Sequence, residues 1–179
     1  MLRRFILKLS DRRLREALAA VEDCGLGLGD LALAPGGSAA FFKPVRQRLL
    51  RALAKPPGSP AGSRAAAAAE DFTGRLEKFF SDLALHGTLP DDALRQALLC
   101  LQRACEETPA LLSLKTRARA LARISALSAA AAAALSLARG AADARRSDFP
   151  ANLKFSSMYS GLDAVFGAFG RCAQALYQA

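Results

Sequence analysis

The sequence predicts an all-α fold, an antiparallel four-helix bundle carrying an N-terminal helical arm. Three observations predict it. Hydrophobic residues make up 52% of the 179-residue chain, and Ala and Leu, the strongest helix formers, dominate them. Residues typical of strands are scarce: Val occurs only at Val21, Val45 and Val165, there is no Trp, and Tyr appears twice. Apolar residues recur at three- and four-residue intervals in several separate stretches. A chain of this length buries roughly two-thirds of the surface its unfolded form exposes, so its core needs no disulfide framework.

The first helix is read from Leu2, Phe5, Ile6, Leu9, Leu14, Leu18 and Val21, spaced at roughly helical intervals with arginines between them. The opening nine residues are basic and amphipathic, the character of an organelle-targeting segment, although Asp11 and Glu16 follow closely. Gly25, Gly27 and Gly29 are expected to end this helix, and Pro35, Gly36 and Gly37 mark a loop up to Ala40. The G-x-G-x-G spacing is no nucleotide fingerprint, because no strand precedes it and no helix opens at its third glycine. Pro44 suits the first turn of a short helix through Val45, Leu49, Leu50 and Leu53. Residues 55–63, rich in Pro and Gly, read as a linker dividing an arm over 1–63 from a bundle over 64–179.

Four further helices are expected after the linker. Phe72, Leu76, Phe79, Phe80 and Leu83 line the first, with Gly87 as its stop. Pro90, Asp91 and Asp92 open the next, whose buried stripe is Leu94, Leu98, Leu101 and Cys105; the short connection at 87–90 implies that these two pair antiparallel. Thr108 and Pro109 start a third, carried by Leu111, Leu114, Leu121, Ile124, Leu127 and Leu135. Its Ala-rich middle, 129–134, permits close approach of a neighbouring helix. A break over 140–150 precedes the last helix, about 152–177, whose apolar face holds Phe155, Met158, Tyr159, Leu162, Val165, Phe166, Phe169, Ala173 and Leu176.

The formal charge of +9 comes mostly from Arg, with six Lys, and draws the chain towards polyanions, acidic protein faces or anionic lipid. The candidate partner-binding residues are Lys115, Arg119 and Arg123, which follow one helical stripe, together with Arg3, Arg4, Arg12 and Arg13 of the arm. Aromatic residues sit at core spacing and are not interleaved with these cations, which argues against nucleic acid. The longest uncharged stretch, 124–138, is 15 residues, short of the ~20 that span a bilayer, so no transmembrane helix is expected.

Catalytic and metal-binding patterns are missing from the sequence. Cys24, Cys100, Cys105 and Cys172 form no C-x-x-C pair and have one histidine, His86, to assist, so buried free thiols are expected, with no metal and no cofactor. No G-x-S-x-G elbow occurs. Asp91 with Asp92, and Glu106 with Glu107, are adjacent in sequence and diverge by about 100° around a helix, so neither pair converges on one substrate. Tyr159 and Asp163, one turn apart, are read as a core tyrosine whose hydroxyl reaches a partner. These patterns point to a binding protein and away from an enzyme.

Two resemblances add specificity. The segment FSSMYSGLDAVFG at 155–167 resembles a helix of the small lumenal photosystem II assembly and repair factors, which reads approximately F-x-x-[IM]-Y-S-A-L-N-A-V-x-G. Phe155, Met158, Tyr159, Ser160, Leu162, Ala164, Val165 and Gly167 carry the match. It implies a four-helix bundle in the chloroplast thylakoid lumen, a non-catalytic subunit docking on photosystem II without pigment or metal. An accessory subunit of a mitochondrial respiratory complex is the organellar alternative. Gly74-Arg75-Leu76 with Phe79-Phe80, and Gly161-Leu-Asp-Ala-Val-Phe166, are similar to the first and second homology regions of the Bcl-2 family, which implies a helical regulator binding partner helices.

Overall fold

The computed structural model describes residues 11–33, 39–56, 58–87, 89–144 and 149–179, and among these it has six α-helices and two short 3-10 turns. The helices are α1 (Arg12–Leu33), α2 (Phe42–Leu53), α3 (Pro60–Leu85), α4 (Asp92–Glu106), α5 (Arg117–Ala144) and α6 (Phe149–Gln178); the turns are Ala39–Phe41 and Thr108–Leu112. No strand occurs among the described residues, so the all-α class holds. The targeting-like segment at 1–9, with Arg3 and Arg4, and the loop at Pro35, Gly36 and Gly37 lie outside the described residues.

α1 does not stop at its glycines. It runs through Gly25, Gly27 and Gly29 to Leu33, because these positions are close-approach surfaces. A Cβ on Gly25 would stand 2.9 Å from Cys105 Cβ of α4, and one on Gly27 would collide with the Phe41 ring. Each glycine lowers helix propensity by about 1 kcal/mol relative to Ala, and the packing it permits offsets that. Gly87 is the true stop signal: its φ of 57° is the left-handed geometry that a residue following a helix adopts, and His86 caps α3 just before it.

Other boundaries move for local reasons. α3 starts at Pro60, inside the expected linker, with Ser59 as N-cap accepting from the Gly62 amide at 2.9 Å. Thr108 and Pro109 open only a 3-10 turn; Ser113 adopts an extended conformation, Thr116 Oγ1 donates to the Ala110 carbonyl at 2.9 Å, and α5 begins afresh at Arg117. α5 continues past Gly140 to Ala144, and α6 takes Pro150 into its first turn.

α1, α3, α6, α5 and α4 form a ring in which each packs on the next, and α4 closes back on α1. α2 lies outside the ring, against α1 and α3. The stripe Leu14, Ala17, Val21, Cys24 and Leu28 of α1, and Phe42, Val45 and Leu49 of α2, enter the same core as Phe72, Leu98 and Phe169. The described part of the expected arm is thus integral to the packing, since those stripes would otherwise face water. Consecutive helices α3 and α4 were expected to pair; α4 instead packs on α1 and α5 because the α1 glycines admit it so closely.

Arg48 of α2 pairs with Glu16 and Asp23 of α1 at 3.1 and 2.6 Å, and Arg46 pairs with Glu70 and Glu77 of α3 at 2.7 and 3.4 Å. These half-exposed pairs orient α2 more than they stabilise it. The Pro/Gly segment is held by the start of α1. Asp11 accepts from the Arg13 and Leu14 amides at 2.9 and 3.2 Å, capping α1, and also from the amide and hydroxyl of Ser59 at the start of α3. Partial burial raises the Asp11 pKa, but the Ser59, Leu14 and Arg13 donors outweigh it and hold the carboxyl below its usual range.

That depression has a pH consequence. A carboxylate whose folded pKa is lowered contributes stability above its unfolded pKa, about 4, and loses it as pH falls through the folded value. Asp11→Ala is therefore expected to cost about 1 kcal/mol at pH 7, with the gap from wild type narrowing below pH ~4. Urea midpoints measured at pH 7 and pH 3 check this; a gap that widens in acid contradicts the assignment.

Candidate functional site

The feature of the fold that local packing leaves unsatisfied is the outer face of α5. Among the described residues α5 is the one helix long and apolar enough, by length and composition, to cross a membrane, yet 22% of its apolar stretch is buried. Ala120, Ile124, Ala131, Leu135 and Ala142 face α4 and α6. Arg119, Arg123, Ala126, Ala130, Ala133 and Leu137 are all exposed and follow one another at alternating four- and three-residue steps, a single stripe along the helix. Leu137 is 78% exposed.

Beside this stripe lies the seam with α4. An open depression of about 580 Å³ is floored by Ala126, Leu127 and Ala130 and rimmed by Arg103, Glu106 and the Glu107–Arg123 pair, 2.9 Å apart. Leu99, one turn before Arg103 on α4, adds a partly exposed apolar side chain. The arrangement is an uncharged floor between charged rims.

The predicted cations separate into three groups. Lys115 and Arg119 are exposed and form no salt bridge among the described residues, whereas Arg123 is committed to Glu107. Arg12 is exposed at the start of α1. It shares a pole of the molecule with Lys115: α1 and α4 run antiparallel in the register that sets Gly25 against Cys105 and Gly29 against Gln102, which brings the start of α1 level with the start of α5. Arg117 at this pole lies over the Tyr177 ring at 5.0 Å.

Arg13 corrects the sequence expectation. It is 8% exposed and no docking residue. Its Nε donates to the Ala52 carbonyl at 3.3 Å, one terminal nitrogen donates to the carbonyls of Leu53 (2.8 Å) and Lys55, and the other donates to Ser63 Oγ at 2.7 Å. The guanidinium thus satisfies carbonyls at the C-terminal end of α2, where a positive charge also complements the helix dipole.

The remaining reactive groups are occupied structurally. Cys24, Cys105 and Cys172, on α1, α4 and α6, are buried free thiols. Burial pushes Cys24 and Cys172 up to about 12 and Cys105 well above its usual value, with the neighbouring thiols adding to the effect on Cys105. Cys100 is half-buried. A thiol reagent such as DTNB is expected to modify Cys100 alone in the folded protein and all four cysteines after urea unfolding; rapid reaction of Cys24, Cys105 or Cys172 in native buffer contradicts this packing. His86 is exposed at the end of α3. Asp91 is the N-cap of α4, accepting from the Leu94 amide at 2.9 Å, and it also accepts from the hydroxyl of buried Tyr159, tying α6 to α4. No three His, Cys, Asp or Glu side chains among the described residues are arranged to share a metal ion.

Sequence reasoning put Arg119 and Arg123 on one helical stripe but included Lys115, which lies in the turn before α5, and missed the apolar continuation through Ala126, Ala130, Ala133 and Leu137. The one available signal was the Ala-rich run itself, whose near-uniform hydropathy hides which side is covered. No protein-family model, no curated protein and no solved structure matches this chain.

Proposed function

We propose that this protein is a non-catalytic structural or assembly subunit that docks on a larger, membrane-associated protein complex. The observation that carries the reading is α5: a helix apolar on all sides is ordinarily covered, and most of this one's apolar stretch is bare. The exposed cations Arg12, Lys115 and Arg119 at the neighbouring pole suit an acidic protein surface. Photosystem II, on the thylakoid lumen side, is the complex favoured by the likeness at 155–167. Within that segment Met158, Tyr159, Leu162 and Val165 are buried, so the likeness lies in residues that build the bundle, and docking falls to a separate surface.

Fractionating the membranes of the source cells on a density gradient tests this. Co-migration with a large complex is expected. Migration as a free 18.9 kDa chain in every fraction removes the docking reading. Absence from photosystem fractions with retention on a respiratory complex transfers it to the mitochondrion.

A second reading, a Bcl-2-like regulator, is favoured by one contact. A Cβ on Gly161 would lie 3.5 Å from the Phe79 ring, so the two segments similar to that family's homology regions meet where α3 packs on α6. A helical peptide that protects the amides of 74–80 and 161–166 from hydrogen exchange supports this reading; protection confined elsewhere dismisses it.

A further inference from the structure

We infer that the seam between α4 and α5 receives a helix from the partner protein, apolar along one face and acidic at the end that meets Arg103, Lys115 and Arg119. The inference rests on the docking reading above and names its surface and the chemistry of its occupant. The stripe Arg119, Arg123, Ala126, Ala130, Ala133, Leu137 keeps the four- and three-residue spacing along which a second helix makes contact, and all six positions are exposed. Alanines at its centre let a backbone approach closely, and the depression over Ala126, Leu127 and Ala130 takes protruding Leu- or Phe-type side chains.

Charge decides the occupant. Arg103, Lys115 and Arg119 are exposed and make no salt bridge among the described residues, while Glu107 is already held by Arg123; Glu106 accepts only from the neutral Gln102 amide at 3.1 Å and keeps its charge, so three cations stand against one anion. The net uncompensated charge here is positive, so a docked helix matches it with Asp or Glu. A second copy of this chain does not: its own α5 brings Arg119 and Arg123 at one end and Arg139 near the other, with Asp143 as its one acid. A lipid surface suits the cations but gains little from a floor of Ala, which lacks the bulky side chains that anchor interfacial helices.

The probe is a 21-residue amphipathic peptide with Leu on one face and Glu in its first two turns, titrated against the full chain by fluorescence anisotropy. Saturable binding is expected, weakened about tenfold by Ala130→Gln, which fills the floor without changing charge, and by Arg119→Gln. Arg64→Gln, which removes an exposed cation from α3, is expected to change it less than about twofold, which separates docking from general attraction to a basic protein. The peptide with Lys in place of Glu is expected to bind at least tenfold more weakly. Circular dichroism of each variant checks that the fold is retained.

Equal affinity for wild type and A130Q, or equal losses from R119Q and R64Q, overturns the inference. So does sedimentation with 70:30 phosphatidylcholine:phosphatidylglycerol vesicles that A130Q abolishes, which assigns the seam to lipid, or a dimer that A130Q dissolves. Co-migration with a large complex, retained by A130Q while the peptide ignores the seam, sinks this inference and leaves the docking reading standing. A free chain in every gradient fraction sinks the docking reading itself.

Discussion

Arg13→Met is expected to lower unfolding free energy by about 3 kcal/mol, more than the loss of any exposed surface cation among the described residues. Met keeps the length and the apolar stem, so the loss reports the guanidinium. Four hydrogen bonds disappear, three of them to the main-chain carbonyls of Ala52, Leu53 and Lys55 at and just beyond the end of α2. The Lys55 carbonyl at the rim regains water, whereas Ala52 is buried and its carbonyl is left without a donor. Arg13→Lys keeps the charge but replaces a rigid fork with one ammonium, which reaches fewer of these acceptors, so it is expected to recover less than half of the loss. Arg12→Met, one residue away and exposed, is expected to stay within ~0.5 kcal/mol. Urea denaturation followed by circular dichroism separates the three; equal losses at positions 12 and 13 contradict the clamp.

That contrast shows what a sequence carries and what it does not. Arg12 and Arg13 are neighbours of the same type, and which one turns inward depends on where the end of α2 arrives, some forty residues later in the chain. Helices and their buried faces are local properties and were legible. The spacing of Met158, Leu162, Val165, Phe169 and Leu176 names residues that are all buried in α6, and Asp91 caps α4 at the position where its acidic start was read. The glycines of α1 were misread because helix breaking and close approach leave the same mark, and only the facing Cys105 and Phe41 distinguish them. The three core thiols come from residues 24, 105 and 172, a proximity no spacing announces. In the candidate site, Arg119 and Arg123 were legible as neighbours on one helix, whereas Lys115, read as part of the same stripe, falls in the turn before α5. The bare alanines beyond Arg123 were not legible, because a helix with apolar residues on every side offers no periodicity from which to choose its covered face.

Phe72→Ala is expected to remove about 3–5 kcal/mol, the largest loss from any side chain considered, against a total stability of about 5–15 kcal/mol for a domain of this kind. Phe72 is fully buried on α3, and its ring centre lies 5.3 Å from that of Phe169 on α6 at an interplanar angle of 60°. α3 reaches α1, α2 and α6 at once, so the cavity opens where several helices meet and where collapse around it is hardest. The pairing of the two rings adds about 0.5–1.5 kcal/mol beyond area burial, which a double-mutant cycle with Phe72→Leu and Phe169→Leu isolates. Leu137→Ala on the bare face of α5 removes a comparably apolar side chain that touches little, and is expected to shift the urea midpoint negligibly, within ~0.5 kcal/mol. The pair of substitutions therefore separates apolar surface used for folding from apolar surface kept for docking. If L137A destabilises the isolated chain as strongly as F72A, α5 is covered from within the molecule and its outer face has no partner to wait for.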